Sequence, residues 1–355
     1  MAVQEIDQAR AEAFAGRAFG IVNDAWLTLS LSVGHRLGIY DAMGALGPAT
    51  TDEIAERAGV QERYMREWLA AQLAGGIVEH DAATATWTLP AEHAAFLTSA
   101  AGPNDVSLLA SGLHFFGELE DDVVDVFRDG GGVPWKRMER LQVWQSKLSY
   151  GVYHSALDAI LGFAPGLIDR LRAGIDVIDV GCGRGHAALR IADAYPASRV
   201  TGYDQARPAI ADATTEAERA SLDNVEFEVR DAASLEPASA DLVLAFDVIH
   251  DLARPYDALR AIRAALRPGG VFLLAEHALS HDPDENVGHP FGAALYTVSL
   301  FHCMTASLSQ GGEGLGLAWG EERIRPALAE AGFTEVVRDG LEGDPLNAYY
   351  VARVD

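Results

Sequence analysis

Lysine is almost missing from this chain: Lys136 and Lys147 are the only two, and arginine brings the basic total to just 27 against 52 acidic residues, a formal charge of −25. A chain so charged repels phosphate backbones and anionic lipid headgroups, which argues against nucleic acid and membrane surfaces as partners. Cysteine is as scarce. Cys182 and Cys303 are too few for a disulfide framework or a four-cysteine zinc site, and they suit a reducing compartment. No apolar run reaches the length of about 18 residues that a membrane-spanning helix requires. The opening residues MAVQEIDQARAEAFAG are polar and acidic, where an export signal is basic and then apolar. The expectation is a cytoplasmic protein. Fixed-period repeats and low-complexity tracts are also absent, which sets aside solenoids and disordered arrays.

What is present is length and apolar content: 355 residues, 49% of them hydrophobic, enough for two domains with sizeable cores. The most informative stretch is 175–204, IDVIDVGCGRGHAALRIADAYPASRVTGYD. An apolar run, glycines at 181, 183 and 185, an alanine-rich segment and a second run ending in Asp204 read as strand, tight turn, helix and strand. Glycine permits the sharp bend and the close approach of a ligand to the backbone. A carboxylate at the tip of the second strand can accept hydrogen bonds from a ribose diol, so the stretch reads as a nucleoside site. The dinucleotide fingerprint asks for a further glycine at position 186, which is His186, and the NAD reading loses ground.

Ahead of this stretch the pattern is helical. Residues 5–46 carry Phe14, Phe19, Ile21, Val22, Trp26, Leu29, Val33, Leu37 and Ile39 at roughly helical spacing, more apolar surface than one short helix buries, and predict a homodimer seam. From Thr50 a capping box with Glu53, a stop at Gly59, a second amphipathic helix and a hairpin ending at Pro90 resemble a winged helix-turn-helix. Positions 51–98 carry Arg57, Arg63 and Arg66 against eight acidic residues, so DNA reading is not expected of them. Helices continue over 103–172, with Trp144 and Tyr153 as aromatic candidates for facing an acceptor. The expected division is a helical, winged domain over 1–100, a helical linker and pocket region over 101–160, and a nucleoside-binding domain over 161–355.

Beyond Asp204 helices alternate with strands: a helix over 207–222, strands over 225–229 and 241–246, a helix over 254–266 halted by Arg267-Pro268-Gly269-Gly270, and a strand over 271–276. The fold class is α/β, a doubly wound, mostly parallel Rossmann-like sheet preceded by a mainly α winged-helix domain. Ligands of such sheets lie at the carboxyl ends of the strands, where Asp204, Asp231, Phe246, His250 and Glu276 all fall.

Asp179-Val-Gly181-Cys-Gly183-Arg-Gly185, the acidic strand end at Asp204, the Asp231-Ala232 pair and the Arg-Pro-Gly-Gly stop together resemble class I S-adenosylmethionine-dependent methyltransferases. With its winged N-terminal half the whole chain is similar to two-domain bacterial small-molecule methyltransferases, relatives of the dimeric O-methyltransferases. The resemblance implies seven strands, the last antiparallel, and S-adenosylmethionine as cofactor. It places Gly181 and Gly183 near the cofactor's amino-acid part, Asp204 at the ribose hydroxyls and Asp231 with the Ala232 backbone at the adenine, and it counts Asp179, Gly185, Gln205 and Phe246 among the other cofactor-binding residues. It makes His250 the general base for an acceptor hydroxyl, oriented by Glu276 with its other nitrogen free, and Asp251 a rival partner. Leu252 stands where the relatives usually have Trp. Two other functions are open: a cofactor-sensing winged-helix regulator, and a methyltransferase fold using its cofactor for a non-methylating purpose.

Residues 277–320 are too long for an ordinary connection and read as an acceptor-binding lid, with Tyr296, His302 and Met304 as contacts and the glycines at 311–316 as a hinge or close-approach loop. His277, His281, His289, His302 and Cys303 match no metal spacing, so no metal is expected.

Overall fold

The computed structural model describes residues 6–342 and 344–354. Two compact units divide the chain, one ending at Gly117 and the other beginning at Glu118.

The first unit opens on a long helix, Gln8–Arg36, whose N-terminus is capped by the Asp7 carboxylate accepting the Arg10 N–H at 3.2 Å. Residue 5 of the expected helical stretch lies outside the described residues. Only Ser32 and Gly34 of this helix are buried, both near its C-terminal end. Gly34 is there by necessity: a Cβ would stand 2.5 Å from the Tyr40 ring. The capping box forms as read, with Thr50 and Glu53 bonding each other's backbone and Gly59 closing the helix Thr51–Ala58 at φ 69°. The helix Glu62–Ala74 follows, then a hairpin of β1 (Glu79–Asp81) and β2 (Thr86–Thr88). Ile39, Met43, Ile54, Met65, Leu69 and Trp87 close over one core. On the outer face of the helix Glu62–Ala74, Arg63 and Arg66 each pair with a glutamate one turn away, so neither offers an uncompensated charge to a phosphate.

The second unit is built on seven strands: β3 (Asp176–Val180), β4 (Arg199–Asp204), β5 (Val225–Val229), β6 (Ala240–Phe246), β7 (Leu266–His277), β8 (Glu335–Asp339) and β9 (Asn347–Arg353). Their order is β5-β4-β3-β6-β7-β9-β8; β3 to β7 run parallel, and β9 lies antiparallel to β7 and β8. Alternate residues of one strand serve opposite faces. Val177, Leu242 and Leu273 pack with Leu157, Ile160 and Leu161 of the helix Glu139–Gly162. Ile178, Val243 and Phe272 pack with Leu259 and Ile262 of the helix Pro255–Ala265 and with Ile324 and Leu328 of Glu321–Ala331. Covered on both sides, these strands had to be continuous apolar runs, which is why they were readable. The order reverses between β3 and β6, and the crevice of such a sheet opens there.

Two details depart from expectation. The helix ends at Ala265, and Arg267-Pro268-Gly269-Gly270 lies inside the span of β7: Leu266 pairs with Ala240, and pairing resumes with Val271 on Leu242. The intervening bulge uses Gly269 at φ 74° and is anchored by Arg267, which meets Asp241 at 2.7 Å and Asp176 at 2.8 Å. Residues 277–320 are folded rather than looped, with helices Gly292–Phe301 and Cys303–Ser309 around Leu279, Leu295, Cys303 and Leu317. Their glycines serve close approach: a Cβ at Gly312 would stand 2.4 Å from Ala253 Cα, and one at Gly316 2.4 Å from Ser299 Oγ. Among the described residues no helix is long and apolar enough to cross a membrane.

Candidate active site

The turn after β3 is shaped by glycines in the left-handed region, φ 65° at Gly181, 54° at Gly183 and 77° at Gly185. Their reasons differ. A Cβ on Gly181 would meet Val248 at 2.5 Å and one on Gly185 would meet Phe227 at 2.6 Å, so the protein's own packing requires these two. At Gly183 nothing lies within 4 Å of where a Cβ would stand; this is the cradle a ligand can enter. Gly183 N–H donates to Asp204 Oδ2 at 2.9 Å, and Ala206 N–H donates to Oδ1 at 2.7 Å. Burial raises the Asp204 carboxyl, opposed by these backbone donors and by Gln205.

Asp179 is enclosed beneath the turn. Burial pushes its carboxyl up to about 7, the Ala188 N–H opposing this and the charge of Asp204 adding to it. A carboxyl held above its unfolded value stabilises the fold most below the unfolded value of 3.8, and the contribution is lost as pH rises toward about 7. We expect the melting temperature of the ligand-free protein to fall across that window, and Asp179→Asn to flatten the fall in a pH series of thermal denaturation.

After β5, Asp231 accepts the Ala233 N–H at 2.8 Å and pairs with Arg254 at 2.7 Å, while Ala232 is buried beside it. Phe246 closes β6 and stacks on Tyr153, ring centroids 5.5 Å apart. The next residue, Asp247, has φ 57°, a strained conformation for a residue with a Cβ, at the strand end where the chain turns toward the site. No residue type or spacing in the sequence marks this position.

His250 sits on a short 3₁₀ turn after β6, and Glu276 is near the end of β7; each is only 1% exposed. His250 Nδ1 meets Glu276 Oε2 at 2.5 Å, and Nε2 faces Asp251 Oδ1 at 3.2 Å. The second nitrogen, expected to be free, is thus flanked by a carboxylate. Burial alone would depress this imidazole, but Glu276 and Asp251 outweigh it and hold its pKa well above the ordinary value. Asp251 behaves reciprocally: burial raises it, and His250 brings it below the usual carboxylate range. Cys303 joins from the far helix, with ligand-capable atoms of His250, Asp251 and Cys303 all within 4.8 Å of one another. His302, its neighbour, is buried at the break between two helices.

Of the other acceptor candidates, Trp144 is buried in the helix Glu139–Gly162, Tyr296 accepts the Asn286 side chain at 2.8 Å, and Met304 lies beside Gly316. His277 bonds the Leu346 carbonyl and lies 5.7 Å, centroid to centroid, from the His250 ring; His289 bonds the neighbouring Pro345 carbonyl, and His281 pairs with Arg323.

A doubly wound sheet with this strand order and a glycine turn facing a strand-end carboxylate defines a nucleoside-binding α/β fold. Residues 25–99 match the family described as Rv2258c-like winged HTH domain, and residues 171–332 match the family described as methyltransferase domain. A 27-O-demethylrifamycin SV methyltransferase of Amycolatopsis mediterranei is 32% identical over 151 residues, covering 40% of this chain and 55% of that protein. A trans-aconitate 2-methyltransferase of Methylobacterium nodulans is 28% identical over 194 residues, covering 50% and 73%. The chain thus spans little more than half the length of the first of these relatives. Human N-acetylserotonin methyltransferase, solved with S-adenosylmethionine, superposes with a TM-score of 0.71 at 18% identity over 99% of each chain. Mitomycin 7-O-methyltransferase gives 0.70 at 19% over 98% and 99%. The chain carries a class I methyltransferase domain behind a winged helix-turn-helix domain, in the two-domain fold of O-methyltransferases. S-adenosylmethionine is the cofactor of this class, and the open cradle at Gly183 with the carboxylate of Asp204 fits it.

Proposed function

We propose that this protein transfers a methyl group from S-adenosylmethionine to a small-molecule acceptor, with a hydroxyl as the accepting group. The observation that carries the proposal is the cluster of buried His250 and Glu276 with the half-buried Asp251, at the same end of the sheet as the glycine turn and linked to it through Val248, which packs at Gly181. When bound, the cofactor supplies a methyl group already activated by a sulfonium.

The chain's own residues have three tasks. The Gly181–Gly185 backbone and Asp204 fix the cofactor's position, and Phe246 with Tyr153 walls the crevice and excludes water. Alignment of acceptor with methyl supplies much of the rate. The third task is to take the acceptor's proton, and the imidazoles and carboxylates gathered around His250 and His302 are the groups available for it. A proton acceptor contributes roughly 10²- to 10⁴-fold. A screen for S-adenosylhomocysteine release over phenols, amines and carboxylic acids tests the reading: hydroxylated acceptors should turn over, and His250→Ala should lose turnover while keeping cofactor affinity. Turnover confined to amines or acids would remove the hydroxyl assignment.

The homodimer reading rests on the helix Gln8–Arg36, where Phe14, Phe19 and Trp26 are each more than two-thirds exposed at 71%, 76% and 69%. A second copy of the chain is the proposed cover. Phe19→Asp with Trp26→Glu should convert a dimer into a monomer in analytical ultracentrifugation; a wild-type monomer would end this reading. The regulator alternative finds no support in the paired arginines of the winged segment.

A further inference from the structure

The proposed reaction requires a base, and the cluster contains two buried imidazoles. His250 has a carboxylate at each nitrogen, Glu276 at 2.5 Å and Asp251 at 3.2 Å. It is built as a held cation, already carrying the proton that a base must be free to accept. The second imidazole is His302, 3% exposed. Its Nδ1 lies 3.3 Å from Cys303 Sγ, and its Nε2 is buried without a hydrogen-bond partner. Trp135 packs edge-on against the ring, centroids 5.0 Å apart. Unpaired buried ring nitrogens are costly to leave unmatched, and one beside the His250 and Asp251 cluster has a ligand as its natural partner.

We propose that His302 Nε2 is the general base for the acceptor hydroxyl, and that Cys303 and Asp251 are its positioning residues. This deepens the methyltransferase reading and rests on it. The tautomer follows from the neighbours. Burial pushes the Cys303 thiol up, so it keeps its hydrogen, and its sulfur lies within 4.8 Å of an Asp251 carboxylate oxygen. With its S–H directed to that carboxylate, the sulfur accepts Nδ1–H from His302, and the lone pair of the neutral ring is left on Nε2. The chain Asp251, Cys303, His302 thus orients the base as a carboxylate orients the imidazole of a catalytic triad.

The electrostatics agree. Burial depresses the His302 pKa, the Asp251 carboxylate opposes this, and the His250 charge adds to it, for a net lowering. The groups that face His302 are therefore Cys303, Asp251 and His250. Two histidines sharing one carboxylate are driven in opposite directions, which separates the proton-accepting ring from the permanently charged one. In the step, the acceptor O–H gives its proton to Nε2. The oxygen's electron pair forms the new O–CH₃ bond as the methyl–sulfur bond breaks, leaving its pair on sulfur. The proton passes from His302 to solvent after product leaves.

The test is the pH profile of kcat/KM with a phenolic acceptor from the release screen, on wild type, His302→Ala, His302→Gln, Cys303→Ala and Cys303→Ser, with S-adenosylhomocysteine affinity measured for each. We expect the wild-type acid limb below the ordinary histidine value of about 6.5. Both His302 variants should fall roughly 10²- to 10⁴-fold with unchanged S-adenosylhomocysteine affinity. Cys303→Ala should shift the limb, and Cys303→Ser should restore it. A limb well above 6.5 would return the role to His250 and overturn the proposal, as would wild-type kcat/KM in His302→Ala. Wild type that binds S-adenosylhomocysteine yet turns over no acceptor at any pH would overturn the methyltransferase reading itself, and this inference with it.

Discussion

Replacing His250 with alanine should lower the folding free energy by roughly 3–5 kcal/mol near neutral pH, the range found when one partner of a buried ion pair is removed. The reason lies in what remains. Glu276 is 1% exposed and Asp251 is enclosed beside it, so deletion of the imidazole leaves two carboxylates without the cation between them. The pH dependence can be worked out from the two shifted groups. His250 is held above its ordinary 6.5, so its contribution is complete below 6.5 and is lost as pH climbs through the raised value. Asp251 is held below its ordinary 3.8, so its contribution is complete above 3.8 and is lost as pH falls through the lowered value. The deficit of His250→Ala is therefore widest between about 4 and 6.5 and shrinks toward both extremes. Thermal denaturation of wild type, His250→Ala, Glu276→Gln and the double variant measures it. The double variant should cost less than the sum of the singles, because neutralising Glu276 removes one of the stranded charges. A deficit of under about 1 kcal/mol would mean the cluster is wetter than its geometry, since exposed pairs have that worth.

The second large effect is expected at Asp204. Asp204→Asn keeps the shape of the side chain but turns one acceptor into a donor. Both carboxylate oxygens are engaged, with the N–H groups of Gly183 at 2.9 Å and Ala206 at 2.7 Å. An amide satisfies one of them and opposes its NH₂ to the other, so the glycine turn loses its anchor and the ribose its charged acceptor. Hydrogen bonds to a charged group contribute roughly 1.5–3 kcal/mol each, and S-adenosylhomocysteine affinity should drop by roughly 100-fold. Isothermal titration calorimetry reads this directly. The melting temperature of the ligand-free variant is the control, because a burial-raised carboxyl is inexpensive to neutralise. Unchanged affinity would remove Asp204 from the cofactor site.

The sequence disclosed the central strands β3, β6 and β7 because they are covered on both faces and largely apolar, and it disclosed Asp204, Asp231, His250 and Glu276 because each stands at or just after the end of a parallel strand. Thr50 with Glu53 was legible as a cap because the bonds are local, three residues apart. The Arg-Pro-Gly-Gly stop was misplaced for a complementary reason. Proline and glycine mark a break in any regular element, and only the pairing of Leu266 with Ala240 shows that the break is a bulge within a strand. The insertion at 277–320 looked like a loop because it is too long for an ordinary connection, and of the two readings of its glycines, hinge or close approach, the second holds at Gly312 and Gly316, which let Ala253 and Ser299 come close. A glycine chosen for tight packing and one chosen for flexibility are the same letter.

By itself, then, the sequence determined the fold class, which follows from spacing within a few dozen residues and from the periodicity of burial, while the cofactor and the histidine proposed for the site came from the likeness of its motifs to class I methyltransferases. Only the tertiary structure decided what that histidine faces. Nδ1 is met by Glu276 arriving from β7 and Nε2 by Asp251, next in the chain but brought onto the ring by the 3₁₀ turn, while Cys303 and His302 join them from the insertion, more than fifty positions away. Protonation states are fixed by burial and by the charges within a few ångströms, and neither quantity exists until the chain has folded.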